Sequence, residues 1–234
     1  MSRPLRIHLP DLIYHVLNRG NNRQVVFVEN KDYLNYLDIL RRYKEKFNFK
    51  LFAYCLMSNH IHLLLKTSAD ATISDIMKAI TIAHTRHYHQ KYKTSGHIWQ
   101  GRFKSPIVSD DEYLLTLMRY IEQNPVRAGM VEHPKEYSFS SYADNTSIEK
   151  DNLVDKDKNP VFLALGNTMQ ERTQRYKEFS STLLDEDKLK LIRKTLTGQS
   201  HFTSERFLIQ IKEKLAIKQK RPRGRPRIKD NRYN

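Results

Sequence analysis

Cysteine is almost missing from this chain. Cys55 stands alone among 234 residues, which excludes an internal disulfide and any zinc site built on clustered thiolates. Long apolar runs are missing too: none approaches the ~20 residues that span a bilayer. The opening Met1-Ser2-Arg3-Pro4-Leu5-Arg6 offers no apolar signal-peptide core. There is no internal repeat at solenoid periods and no glycine-rich phosphate loop, so nothing calls for a nucleotide cofactor. Acidic residues are outnumbered, 26 against 41 Lys plus Arg, for a formal charge of +15. These absences leave a cytoplasmic, nucleoid-associated protein as the expectation, with affinity for polyanions, of which nucleic acid is the commonest.

What is present is enough for a real core: 39% of residues are hydrophobic and 10% aromatic. The charge is unevenly spread. Residues 1–136 carry 20 basic and 13 acidic side chains, residues 137–217 carry 13 and 12, and residues 218–234 carry 8 and 1. Nine of the ten histidines fall in the first segment. The pattern divides the chain into a histidine-rich basic domain (1–142), an accessory helical region (143–217) and a basic tail (218–234).

Hydrophobic periodicity supplies the elements. Leu12 to Leu17 has strand composition and runs into the turn-forming Asn18-Arg19-Gly20-Asn21-Asn22, with Gln24–Val28 able to extend a further strand. Tyr33, Leu34, Leu37, Leu40 and Tyr43 recur at helical spacing from Lys31 to Phe47. Lys50–Met57 and His60–Lys66 form a tight antiparallel hairpin around Ser58-Asn59. Ile73, Ile76, Met77, Ile80 and Ala83 mark a second helix towards Tyr92, and Ile98–Val108 reads as extended, with Pro106 favouring a sheet edge. Ser109 with Glu112 is a capping box, and Asp110, Asp111 and Glu112 suit a helix start better than a two-metal nuclease. Leu114, Leu117, Met118 and Ile121 give that helix its buried face, and Pro125 should stop it near Asn124. The order β-α-β-β-α-β-α predicts an α+β, ferredoxin-like antiparallel sheet with its helices on one side. Beyond Pro160, helical patches cover 161–179, 187–196 and 204–217.

The chemistry concentrates in two places. His60 and His62 are two apart in a strand, so both imidazoles project from one face and can meet one cation, while Ile61, Leu63 and Leu65 face a core. Such a pair is weak evidence without a third ligand and a reacting group. Tyr120 and Asn124, four apart on a helix, can supply both. An asparagine carbonyl is a hard ligand suited to Mg²⁺ or Mn²⁺, and imidazole extends the preference towards Mn²⁺. A phenol of pKa ~10 needs something nearby to favour its anion, which a cation that also polarises a phosphodiester would provide. Asn124 has a competing role as a plain helix cap.

Met57-Ser58-Asn59-His60-Ile61-His62-Leu63-Leu64-Leu65 resembles the HUH motif of single-tyrosine HUH transposases. Arg119-Tyr120-Ile121-Glu122-Gln123-Asn124-Pro125-Val126-Arg127-Ala128-Gly129 is similar to the tyrosine-helix signature of their REP-associated branch. Tyr14-His15-Val16, Asn18-Arg19-Gly20-Asn21-Asn22-Arg23 and Trp99-Gln100-Gly101-Arg102-Phe103 resemble further blocks of that family, in order from about Leu12 to Tyr142. The resemblance implies that His60 and His62 bind a divalent metal, Mg²⁺ or Mn²⁺, that Asn124 takes the third ligand's place, and that Tyr120 is the nucleophile. It implies cleavage of single-stranded DNA beside REP-type palindromic hairpins through a 5′-phosphotyrosyl intermediate and a free 3′-hydroxyl. Dimers that exchange the tyrosine helix and self-sufficient monomers both occur in the family; the long region after Tyr120 favours a monomer here.

Arg19, Arg23, Arg102 and Arg127 are candidate phosphate contacts, against the alternative of a solvated face. The tail holds Arg223-Gly224-Arg225-Pro226, the core of an AT-hook, in which Arg223 and Arg225 would reach into the minor groove of A·T-rich duplex. A simple phosphate tether is the alternative. At 100° per residue His87 and His89 diverge by about 200°, so with His84 they form no second metal pair; ordinary surface is expected for them, with DNA-facing positions as the alternative. Cys55 reads as packing, and Trp99 and Phe103 as base-stacking or core aromatics. Two rival functions remain: a catalytically silent binder of palindromic repeats, and a relaxase or replication initiator using the same HUH chemistry.

Overall fold

A computed structural model describes residues 7–108, 111–149, 153–197 and 205–218. The chain opens with β1 (Ile13–Arg19), then α1 (Asn30–Phe47), β2 (Lys50–Met57), β3 (His60–Lys66), α2 (Ile73–Tyr92) and β4 (Ile107–Val108). The four strands form one antiparallel sheet in the order β2-β3-β1-β4. This is the α+β, ferredoxin-like arrangement expected from the element order.

Local chemistry sets the helix starts. Thr72 caps α2 and exchanges hydrogen bonds with Asp75 in a capping box, and Glu29 and Asp32 do the same for α1. Both helices lay their apolar stripes on one face of the sheet. Tyr36, Leu37 and Leu40 of α1 and Ile73, Ile76, Met77 and Ile80 of α2 pack there against Val16, Ile61, Leu63 and Leu65.

The helices are not confined to that side. α3 (Asp111–Glu122) crosses the opposite face, where Leu114, Leu117, Met118 and Ile121 meet Phe52, Cys55, Leu64 and Val108 in a second core. The strands explain this. Their residues are buried on both faces, β2 almost continuously from Leu51 to Met57, so neither face is left for water. The Ser109–Glu112 capping box expected at the start of α3 lies outside the described residues and side chains.

Pro125 does not end helical structure at Asn124. The chain kinks at Gln123 and α4 (Asn124–Arg127) follows at once, with Pro125 in its first turn, where a missing N–H costs nothing. Gln24–Val28 is not a strand: the 3₁₀ turn Asn21–Arg23 leads into a loop in which the Val26 and Phe27 amides both donate to Ser58 O and only those two side chains are buried. In the extended 98–108 segment only Ile107–Val108 pairs as a strand, at the sheet edge, with single bridges from Lys104 to Leu17 and from Trp99 to Gly20.

The remaining elements are α5 (Tyr142–Thr146), α6 (Pro160–Leu163), α7 (Met169–Ser181), α8 (Glu186–Thr197) and α9 (Glu205–Lys218). Phe162, Tyr176, Leu184, Leu189, Ile192 and Leu196 join the second core and close over α3. Leu153 and Val154 belong to the first. None of the helices in the described residues is long and apolar enough to cross a membrane.

Candidate active site

The strand alternation that sends Ile61, Leu63 and Leu65 into the first core turns His60 and His62 to the α3 side. Their rings lie 5.2 Å apart at 82°. Tyr120 reaches them from α3, its ring 5.8 Å from that of His62 and perpendicular to it. His60, His62, Tyr120, Asn124, Arg19 and Arg127 line one cavity of about 350 Å³. Strand register and the apolar face of α3 thus bring together side chains some sixty positions apart in sequence.

Each imidazole is held through its Nδ1. His60 Nδ1 lies 2.6 Å from Asn59 Oδ1, while Asn59 Nδ2 donates to Arg23 O. An amide oxygen only accepts, so His60 carries its proton on Nδ1 and keeps the Nε2 lone pair. His62 Nδ1 lies 2.9 Å from Nε2 of His15 on β1. With His62 as donor of that bond, its Nε2 lone pair is likewise left for a cation. Burial pushes His60 down to about 4, helped by the charge of Arg19, and holds His62 well below the ordinary histidine value. Both rings are therefore neutral at pH 7, the form that ligates metal.

Asn124 does two things at once. Its Nδ2 donates to Tyr120 O at 3.0 Å and Ile121 O at 3.1 Å, capping the end of α3, and these bonds leave Oδ1 as an acceptor. No group of three His, Cys, Asp or Glu side chains that could hold a metal occurs among the described residues. The donor set on offer is two neutral imidazoles and one amide oxygen, which fits Mg²⁺ or Mn²⁺.

Tyr120 is enclosed, 6% exposed, with the cavity at its side. Burial raises its pKa, and the charges of Arg127, Arg193 and Arg19, with a hydrogen bond from Arg127, pull it back down. Arg127 lies over the ring, 4.3 Å from its centre, and donates to Tyr120 O at 2.6 Å. This is a cationic environment suited to a phenolate and to a phosphate beside it.

Of the other arginines singled out in sequence, Arg23 and Arg102 are exposed on loops off the cavity, and Arg223 and Arg225 lie outside the described residues. Arg19 owes its place partly to Gly20: a Cβ there would come within 2.2 Å of Gln24 O, so only glycine lets the chain turn this tightly after β1. His84 corrects the expectation of surface histidines. It is fully buried against Phe27, Tyr36 and Trp99, its Nε2 3.0 Å from Val26 O. Trp99 and Phe103 pack on the first core, and Cys55 is buried.

Two residues of the site escaped sequence reasoning. His15 was visible only within a motif block, and its contact with His62 depends on the β1–β3 register. Arg193 lines the cavity from α8, and nothing in its local sequence announces that.

Comparison with known proteins bears on the family and the fold. A family model described as "Transposase IS200 like" matches residues 8–124. A Haemophilus influenzae Rd protein described as a REP-associated tyrosine transposase is 33% identical over 134 residues, covering 50% of this chain and 73% of that protein. A solved REP-associated tyrosine transposase bound to a REP hairpin shares the fold, with a TM-score of 0.53 over 62% of this chain and 85% of that one, at 20% identity. The chain belongs to the IS200-like transposase family, in its REP-associated tyrosine transposase branch.

Proposed function

We propose that the protein is a metal-dependent single-stranded DNA endonuclease and strand transferase that acts beside REP-type hairpins. The observation that carries this reading is the convergence of Tyr120, His60, His62 and Asn124 on one cavity. Tyr120 Oη attacks the scissile phosphorus. The Oη–P bond forms and the P–O3′ bond breaks. The phenolic proton passes to solvent and the 3′ oxygen takes one up, leaving a 5′-phosphotyrosyl enzyme and a 3′-hydroxyl. The linkage keeps its energy, so a 3′-hydroxyl can reverse it without ATP.

His60, His62 and Asn124 would hold Mg²⁺ or Mn²⁺, which when bound supplies Lewis-acid polarisation of the phosphoryl group. Arg127 holds Tyr120 in place by stacking on its ring and bonding its carbonyl. Arg19, Arg23 and Arg102 guide the strand, and Arg223 and Arg225 in the tail grip A·T-rich duplex. The hairpin as substrate class draws support from the Haemophilus relative and from the hairpin-bound neighbour.

The protein acts as a monomer in this reading, because its own later helices grip α3. Arg119 donates to Phe179 O and Thr182 O, and Gln123 to Ser180 O and Thr182 O.

The test is a labelled hairpin-bearing single strand incubated with the protein and Mn²⁺. A denaturant-resistant protein–DNA adduct is expected, lost in Tyr120→Phe with binding retained, and lost with chelator. Failure to cleave authentic flanking repeats would overturn the reading.

A further inference from the structure

The cavity beside Tyr120 is finished by a part of the chain well past residue 124, where the family match ends. α8 contributes Arg193 and Leu196 to the wall. Its backbone is firmly seated there: Ile192 and Leu196 are 1% and 4% exposed and sit in the second core. Arg193 itself is exposed, held at the rim by buried neighbours on its own helix.

Three guanidinium groups, Arg19, Arg127 and Arg193, therefore face one cavity, and among the described residues no acidic side chain lines it. Like charges around a small partly enclosed space repel one another, and an anion placed among them removes that repulsion. The cavity is built to hold negative charge, and the charge lies against Tyr120. Arg127 is already committed to the ring and carbonyl of Tyr120. Arg193 lines the same cavity from a different element, and its charge acts on Tyr120 from there.

We propose that Arg193 is a catalytic residue: its guanidinium binds a non-bridging oxygen of the phosphodiester that Tyr120 attacks. This rests on the nucleophile reading of Tyr120. As the Oη–P bond forms and the P–O3′ bond breaks, the phenolate's charge spreads onto the phosphoryl oxygens. A phosphodiester that begins with one negative charge shares a second at the transition state. Arg193 meets that added charge with a donor pair carried at the cavity wall by a seated helix. The helices after Tyr142 then belong to the chemistry as well as to the fold.

The experiment uses the full chain under single turnover, with a labelled hairpin-bearing strand and Mn²⁺. Arg193→Ala is expected to slow adduct formation about 100-fold, the scale for removing one preorganised donor. Strand affinity, measured in a Tyr120→Phe background, is expected to change by less than about threefold, since the interaction is made chiefly in the transition state. Arg193→Lys, which keeps the charge and loses the fork, should fall between the two. On a strand carrying a neutral methylphosphonate at the cleaved linkage, the gap between wild type and Arg193→Ala should narrow clearly, because the phosphoryl group then carries one negative charge at the transition state in place of two and offers one non-bridging oxygen fewer. A rate for Arg193→Ala within about threefold of wild type would overturn the proposal, as would a slowing matched by an equal loss of affinity. So would a deficit that persists undiminished on the methylphosphonate. If wild type itself forms no adduct, the nucleophile reading fails first; if wild type reacts and Arg193→Ala matches it, only the role of Arg193 falls.

Discussion

Nε2 of His15 lies 2.9 Å from Nδ1 of His62, and both rings are buried. The pairing of β1 with β3 sets Leu17 opposite His62 and so brings His15 diagonally onto it. A histidine offered to a cation through Nε2 needs its Nδ1 proton accepted elsewhere, and His15 is where that proton points. His15→Ala is therefore expected to weaken Mn²⁺ binding, followed by calorimetric titration, about 10–100-fold. His15→Gln, whose amide oxygen can accept the same proton, should recover much of that loss. Unfolding without metal should stay cooperative in both. An affinity that neither substitution moves would mean that His62 is oriented without an outer partner.

Two residues along the tyrosine helix, Glu122 is fully buried and anchors α3 to later elements. Ser141 Oγ and Asn145 Nδ2 donate to its Oε1 at 2.6 and 2.7 Å, and Tyr176 OH donates to Oε2 at 2.6 Å. Burial pushes its pKa up from 4.5 to about 7, and the three donors only partly offset that. A carboxyl with a raised folded-state pKa binds protons more tightly when folded, so its stabilising share is fully present below 4.5 and is lost as pH rises through about 7. The expected loss is on the order of 3 kcal/mol. Glu122→Gln keeps an acceptor for Ser141 and Asn145 and cannot ionise. Urea denaturation from pH 4.5 to 8 should show wild-type stability falling relative to Glu122→Gln across that window, and parallel profiles would refute the assignment.

How far the sequence could be read follows from the range of the forces involved. The β2–β3 hairpin, α1 and α2 are set by alternation, 3.6-residue periodicity and capping pairs such as Thr72 with Asp75, all within a few residues. They emerge close to their expected bounds. The pairing of His60 with His62 is also local, because alternation alone puts both on one face. The side on which α3 packs is not local. It depends on both faces of the sheet being apolar, and near-continuous burial in β2 is a result of packing that no single periodicity reveals. Pro125 misled because its effect depends on whether a new helical turn begins beneath it. His84 reads as a polar residue on a helix until Phe27 and Val26 fold in from a distant loop. His15 and Arg193 were hidden for the same reason: their partners are 47 and 73 positions away, and only strand register and the docking of α8 bring them close.

The seventeen residues from Lys218 carry eight basic side chains and one acidic one, a charge density suited to binding phosphates. Truncation after Ile217 is expected to weaken DNA binding and to flatten its dependence on salt. The log–log slope should fall by about one for each phosphate that the tail no longer neutralises. Fluorescence anisotropy across a salt series reads both quantities, on a hairpin-bearing single strand and on A·T-rich duplex. A larger drop in affinity on the duplex supports minor-groove binding, equal drops support a phosphate tether, and an unchanged slope on both would remove the tail from DNA binding altogether.

Lys156 is 1% exposed, and its ammonium group donates to three carbonyls: Asp144 O and Ser147 O at 2.7 Å and Glu149 O at 2.6 Å. The same stretch is tied to the sheet, since Asp155 accepts from Leu51 N at 2.9 Å and pairs with Lys44 at 2.9 Å. Lysine is rarely buried unless its charge is fully met, and three carbonyl oxygens meet it here. Lys156→Met keeps most of the volume, removes the charge, and leaves three oxygens without that donor. The expected cost is about 3 kcal/mol or more, read as a lower urea midpoint at unchanged slope. Because α6, α7 and α8 follow directly from this anchor and close over α3, the loss should register in global unfolding. A variant that instead frayed only near residue 150, with the midpoint unmoved, would show that the anchor holds a local loop and not the helices that complete the Tyr120 cavity.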